Sequence, residues 1–198
     1  MIRTLLIQSS LVLALFVALP AHAVTIAVEP ALQTVLVGST VDVDLTVSGL
    51  GDFAPDSLGA FDVNVLFDPA VLGLSGVSFG DPVLGDQLDL FGFGSITGVD
   101  DTVPGIVGVF EISLDLASDL DTLQAGSFTL ATLSFDALAI GSSSVTPVVD
   151  ALADSMGSRL TAQASSGFVG VVPEPGSWTL FLVGAVIVGY GCRAKGSV

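Results

Sequence analysis

Residues 41–47 read Val-Asp-Val-Asp-Leu-Thr-Val, apolar at every odd position and polar at every even one. Alternation with a period of two puts successive side chains on opposite faces of an extended strand, one face buried and one wet. Phe61, Val63, Val65 and Phe67 repeat the pattern with Asp62 and Asn64 between them. Leu66 interrupts it and is expected under a loop or against a second sheet. Phe110, Ile112, Leu114 and Leu116 read as a further buried row, with Glu111, Ser113 and Asp115 facing water. A register slip of one residue would expose every such row, so the pattern also fixes pairing.

The clearest strands are predicted at 40–48, 60–67, 106–117 and 127–135, divided by clusters of Gly, Pro, Asp and Ser, and no amphipathic helix of ten or more residues stands out. Many short strands with one apolar face each must cover those faces against one another. The predicted fold is therefore all-β, a two-sheet antiparallel sandwich or jelly roll over residues 24–171. A unit of this size can build a core without covalent staples. The single cysteine, Cys192, rules out a disulfide framework in any case.

The sandwich region resembles a cohesin-type domain. The resemblance is carried by Gly38-Ser39-Thr40-Val41, by Leu58-Gly59-Ala60-Phe61-Asp62-Val63-Asn64-Val65-Leu66-Phe67-Asp68-Pro69 with Ala70, Val71 and Leu72, and by Leu130-Ala131-Thr132-Leu133-Ser134-Phe135 ahead of Gly141. It implies a jelly roll in which the first long stretch forms a strand and turn and the last a core strand. It also implies a domain that binds and does not catalyse, with a dockerin-like protein as one class of partner. These strings are core and turn residues, so they speak to fold before function.

The two ends account for much of the 51% hydrophobic content. Residues 1–23 have the three parts of a signal peptide: Arg3, an apolar run over 5–19 broken only by Gln8, Ser9 and Ser10, and the small-x-small site Ala21-His22-Ala23 after Pro20. The alternative is an uncleaved anchor or a buried helix. Residues 172–198 hold Pro173-Glu174-Pro175, an uncharged membrane-helix candidate over about 176–192, and a basic tail over 193–198. Trp178 and Tyr190 suit the two membrane interfaces, and Arg193 with Lys195 satisfies the positive-inside rule. This tail resembles the PEP-CTERM sorting signal. The resemblance implies passage through the export machinery, a transient stay in the inner membrane, and processing at Pro173, Glu174 and Pro175 by an exosortase-type transpeptidase. A plain single-pass anchor is the alternative. The expected destination is the cell surface or extracellular matrix.

Charge narrows the partners. Four Lys+Arg stand against 20 Asp+Glu, and residues 24–172 keep one base, Arg159, against nineteen acids, a net charge of −18. Such a surface repels nucleic acid and anionic lipid and attracts cations. His22 leaves with the signal peptide and no cysteine lies in the sandwich region, so Ser-His-Asp and thiol catalysis are excluded. Paired carboxylates could serve a polysaccharide hydrolase, but the only Trp and Tyr, which would grip a sugar ring, lie in the tail. The reading is a non-enzyme: a surface or extracellular-matrix protein that binds extracellular polysaccharide or a partner protein, with a cohesin-manner docking module for a dockerin-like partner as the alternative and a polysaccharide hydrolase as the last. No cofactor is required. Calcium is the one ion the acids suggest, with Asp100, Asp101, Asp119 and Asp121 as candidates and Asp150 with Asp154 as a further pair; none fits the Asp-x-Asp-x-Asp-Gly loop, and solvated turn carboxylates are the competing reading. Residues 80–105, rich in Gly and Asp, read as a long loop over a sheet edge, in which Phe91 and Phe93 form either a binding platform or one more strand or loop anchor.

Overall fold

The computed structural model describes residues 24–174 and Gly176. Eleven strands are described: β1 Val24–Glu29, β2 Leu32–Leu36, β3 Thr40–Ser48, β4 Leu58–Leu66, β5 Leu72–Phe79, β6 Ile96–Asp100, β7 Ile106–Ile112, β8 Ser127–Ala137, β9 Gly141–Asp154, β10 Ala162–Ser165 and β11 Gly167–Val172. One short helix, α1 Ala117–Leu123, precedes β8. The strands form a five-stranded sheet in the order β10-β1-β3-β8-β5 and a six-stranded sheet in the order β2-β11-β9-β4-β7-β6. The two-sheet all-β sandwich expected from the alternation is what the chain forms. The candidate signal peptide with Arg3, Ala21 and Ala23, and the tail with Pro175, Trp178, Tyr190, Arg193 and Lys195, lie outside the described residues. Among the described residues no helix is long and apolar enough to cross a membrane.

The chain crosses between the sheets at every connection except that from β6 to β7, and its first and last strands pair in parallel, β1 with β10 and β2 with β11. All other strand pairs are antiparallel. Both ends therefore stitch the sheets together on one side of the sandwich. Gly167 sits where the chain crosses from β10 to β11, and a Cβ there would stand 2.5 Å from Val28 Cγ1, so only glycine lets the strands approach this closely.

The core lies between the sheets. Val41, Val43, Leu45 and Val47 face inward from β3, and Phe61, Val63 and Val65 from β4, all buried. Leu130, Leu133 and Phe135 from β8 lie in the same core, and Phe67 meets Phe135 edge-to-face with ring centroids 4.9 Å apart. Each fully buried Val, Leu or Phe contributes about 1.5–3 kcal/mol relative to exposure, which is why the odd-position rows decide the fold.

Two expectations about rows are corrected. Leu66 is neither under a loop nor against the second sheet: it points outward from β4, 38% exposed, so the alternation that starts at Phe61 runs on through Leu66. More consequentially, β7 has the opposite facing. Val107 and Val109 enter the core, while Phe110 and Ile112 point outward and Glu111 is completely buried. Leu114 and Leu116 lie beyond the strand and are exposed. Both parities of Ile-Val-Gly-Val-Phe-Glu-Ile carry apolar residues, so burial energy alone hardly separates the two registers. Pairing with β4 decides: Val109 stands opposite Val63, and Phe110 opposite Asp62, whose parity is already set.

Candidate functional site

The outer faces of the two sheets differ in chemistry. On the five-stranded sheet, cross-strand neighbours join hydroxyls to carboxylates: Thr132 Oγ1 donates to Asp44 Oδ1 at 2.6 Å, Ser134 Oγ to Asp42 Oδ1 at 2.6 Å, and Thr40 Oγ1 to Asp136 Oδ1 at 3.2 Å. The polar positions of β3 are thus satisfied by those of β8, and together they form a hydrophilic, acidic surface.

The outer face of the six-stranded sheet is apolar over much of its width. Ile96, Phe110 and Ile112, Leu66, Val148, Phe168 and Leu32 all present between 38% and 76% of their surface to solvent. Ile96 stands opposite Ile112, and Gly98 opposite Phe110. A Cβ on Gly98 would collide with the Phe110 ring, so glycine at this position leaves the space the ring occupies. Ala60, Asp62, Phe110, Ile112, Ala151 and Ala153 line a groove of about 230 Å3 beside it. Small residues on β4 and β9 make the groove and large ones on β7 its wall. Around it stand Asp62, Asp100 and Asp150, the last accepting from Asn64 Nδ2 at 2.5 Å. An exposed apolar surface of this kind, rimmed by polar groups, is the ordinary mark of a binding face.

A second feature lies beneath the segment between β5 and β6. Two glutamines fasten it: Gln124, fully buried, accepts from Leu58 N at 2.6 Å and donates to Leu58 O at 2.9 Å and Gln87 O at 2.8 Å. Gln87 in turn accepts from Ala125 N at 3.0 Å. Below it is Glu111, which accepts from Ser95 Oγ at 2.5 Å through Oε1 and has no partner at Oε2. Burial foremost pushes the Glu111 carboxyl up to about 7; the Ser95 hydroxyl opposes this, and the neighbouring Asp86 and Asp89 carboxylates add to it. A glutamate between apolar strand residues reads in sequence as a wet-face residue, and only the cover supplied by the distant loop shows otherwise.

The acids expected to hold calcium do not come together. Asp100 caps its own turn, accepting from Thr102 N at 3.0 Å and Thr102 Oγ1 at 2.7 Å, which lowers its pKa. Asp101 is exposed beside it. Asp119 lies in the first turn of α1, and Asp121 accepts from Ser57 Oγ at 2.5 Å and Ser155 Oγ at 2.8 Å. Asp154 accepts from Met156 N and Ser158 N in a local turn. Among the described residues no three Asp, Glu, His or Cys side chains form a group ready to hold an ion. Phe91 and Phe93 are neither strand nor anchor: they stack at 6.0 Å in an irregular segment, 49% and 86% exposed. Pro173 and Glu174 follow β11 as exposed, irregular chain.

No protein-family model matches the chain, and no curated protein sequence does. Solved structures do. The seventh ScaB type I cohesin from Pseudobacteroides cellulosolvens is 13% identical, with 78% of this chain and 96% of that one covered at a TM-score of 0.61. The sixth cohesin of scaffoldin B from Acetivibrio cellulolyticus, solved in complex with a Cel5 dockerin mutant, is 18% identical over 76% of this chain and 99% of that one, with a TM-score of 0.58. A non-cellulosomal cohesin from the archaeon Archaeoglobus fulgidus is 15% identical over 80% and 97%, with a TM-score of 0.56. At these identities the likeness is one of fold, and the fold of residues 24–172 is that of a cohesin domain.

Proposed function

We propose that the protein is a non-catalytic docking module that binds a dockerin-like partner protein through the outer face of its six-stranded sheet. The observation that carries the reading is the contrast between the two outer faces: one is closed by its own hydroxyl–carboxylate pairs, whereas the other leaves Ile96, Phe110 and Ile112 open around a groove. Support for the class of partner comes from the fold, since the Acetivibrio cohesin was solved with a dockerin. Charge specifies the partner further. Asp62, Asp100 and Asp150 ring the apolar patch, so the complementary surface presents apolar side chains flanked by Lys or Arg.

A binding module of this kind works outside the cell in our reading, delivered by the export signal around Ala21 and Ala23 and the sorting tail at Pro173, Glu174 and Pro175. Polysaccharide binding is the second reading, and the exposed Phe91–Phe93 pair is the observation that favours it.

The test measures binding of the full-length protein to a panel of dockerin modules and to exopolysaccharide, with Phe110→Asp on the apolar face and Ser78→Asp on the polar one. The docking reading expects dockerin binding that F110D abolishes and S78D leaves intact. Binding that F110D leaves unchanged removes the face; polysaccharide binding without dockerin binding replaces the reading with the second one.

A further inference from the structure

Glu111 Oε2 is a buried acceptor without a partner, and it points into a group of like charge. The Asp86 carboxyl is near enough to Glu111 for the two to share a hydrogen bond only when one of them is protonated, and the charge of Asp89 acts on Glu111 as well. One oxygen of Asp86 accepts from Leu88 N at 2.9 Å, both oxygens of Asp89 accept from Gly94 N at 3.0 Å, and Ser95 Oγ holds the other Glu111 oxygen. No basic side chain takes part among the influences on Glu111. Glu111 is completely buried while Asp86 and Asp89 are partly so, and carboxylates set this close to a buried one repel it unless something positive lies between them. The positions of these groups are not adjustable at little cost, because the paired glutamines clamp the covering segment and β7 is paired on both sides.

We propose that Glu111 and Asp86 form a divalent-cation site of the calcium class beneath the segment between β5 and β6, with Asp89 and the Ser95 hydroxyl at its margin. Only two carboxylates are in direct contact. Calcium accepts six to eight oxygens at flexible angles and completes its shell with backbone carbonyls and water, which a loop of this kind supplies, whereas magnesium's stricter octahedron suits it less. The site is distinct from the turn acids at Asp100, Asp101, Asp119 and Asp121, and it does not depend on the docking reading. Its consequence is local: an ion there fastens the covering segment to β7.

The full-length protein, stripped with chelator and then titrated with calcium chloride, tests this by thermal unfolding and calorimetry at pH 8. The wild type should gain about 5–10 °C in Tm when calcium exceeds its Kd a hundredfold. Glu111→Gln should lose that gain, and so should Asp86→Asn, whose half-exposed position makes folding of that variant secure. No gain in the wild type overturns the proposal. So does an equal gain in both variants, which would put calcium elsewhere. Stabilisation on lowering the pH from 8 to 6 without any calcium effect would mean a shared proton only, and would overturn it as well.

Discussion

Replacing Gln124 by leucine separates the hydrogen bonding of the clamp from its volume. Leucine fills nearly the same space in a fully buried position, but Leu58 N–H, Leu58 C=O and Gln87 C=O each lose their partner. A buried polar group stripped of its partner costs about 1–3 kcal/mol, so three cost about 3–9 kcal/mol. Burying the more apolar side chain offsets some of this, by about 1.5–3 kcal/mol, leaving a net loss of about 4 kcal/mol at the middle of both ranges. For a chain of this length each kcal/mol moves Tm by about 2–4 °C, so the variant should melt about 8–16 °C below the wild type. Equilibrium denaturation gives the free energy, and amide hydrogen exchange locates it: Leu58 N–H should be among the protected amides in the wild type and exchange rapidly in the variant. A fall of less than about 3 °C with Leu58 still protected would refute the reasoning, since it would mean that the three groups find other partners and that the glutamine is not what holds β4, α1 and the covering segment together.

The facing of β7 has a paired test: Val109→Asp, which puts a charge into the closed core, should cost more than about 4 kcal/mol, and Phe110→Asp on the open face less than about 2 kcal/mol, as read by urea denaturation; a larger cost for Phe110→Asp would mean that the strand faces the other way. Gly98→Val should displace the Phe110 ring and weaken docking at least tenfold with little loss of stability, measured by partner titration and melting in parallel. Asp81 supplies an acid-side test. Burial works to raise its pKa, but the amides of Leu84, Thr129 and Val83 together hold it below the ordinary 3.8. A carboxylate depressed by folding contributes stability that is complete above its unfolded value and lost as pH falls through its folded one, so the wild type should weaken below about pH 4. Asp81→Asn should be less stable at pH 7 and show a shallower acid limb; an unchanged limb would contradict the assignment.

How far the sequence could be read depended on whether a strand had one apolar parity or two. Residues 40–48 alternate strictly, and the structure returns the same strand with the same buried side. The core role of Leu130, Leu133 and Phe135 and the turn after residue 66, where Asp68 Oδ1 accepts from Ala70 N, were legible for the same reason: local preferences and burial agree there. β7 was not legible, because Val107 and Val109 compete with Phe110 and Ile112 for the same core and their burial energies are nearly equal. The exposed apolar face followed from that competition. So did the burial of Glu111, which depends on Asp86 and Ser95 arriving from a segment sixteen to twenty-five residues earlier in the chain.

By itself, then, the sequence determined the strand-rich sandwich, the absence of His and Cys chemistry in its middle, and the strongly acidic surface, since each depends on composition or on the two-residue period of a strand. The export and sorting signals proposed at the two ends rest on the sequence alone, since an address of that kind is linear and needs no fold to be read. Which outer face is open and which carboxylate is enclosed was decided only in three dimensions. Those outcomes turn on which strand lies beside which, and a contact between distant strands leaves no mark on the local pattern of either one.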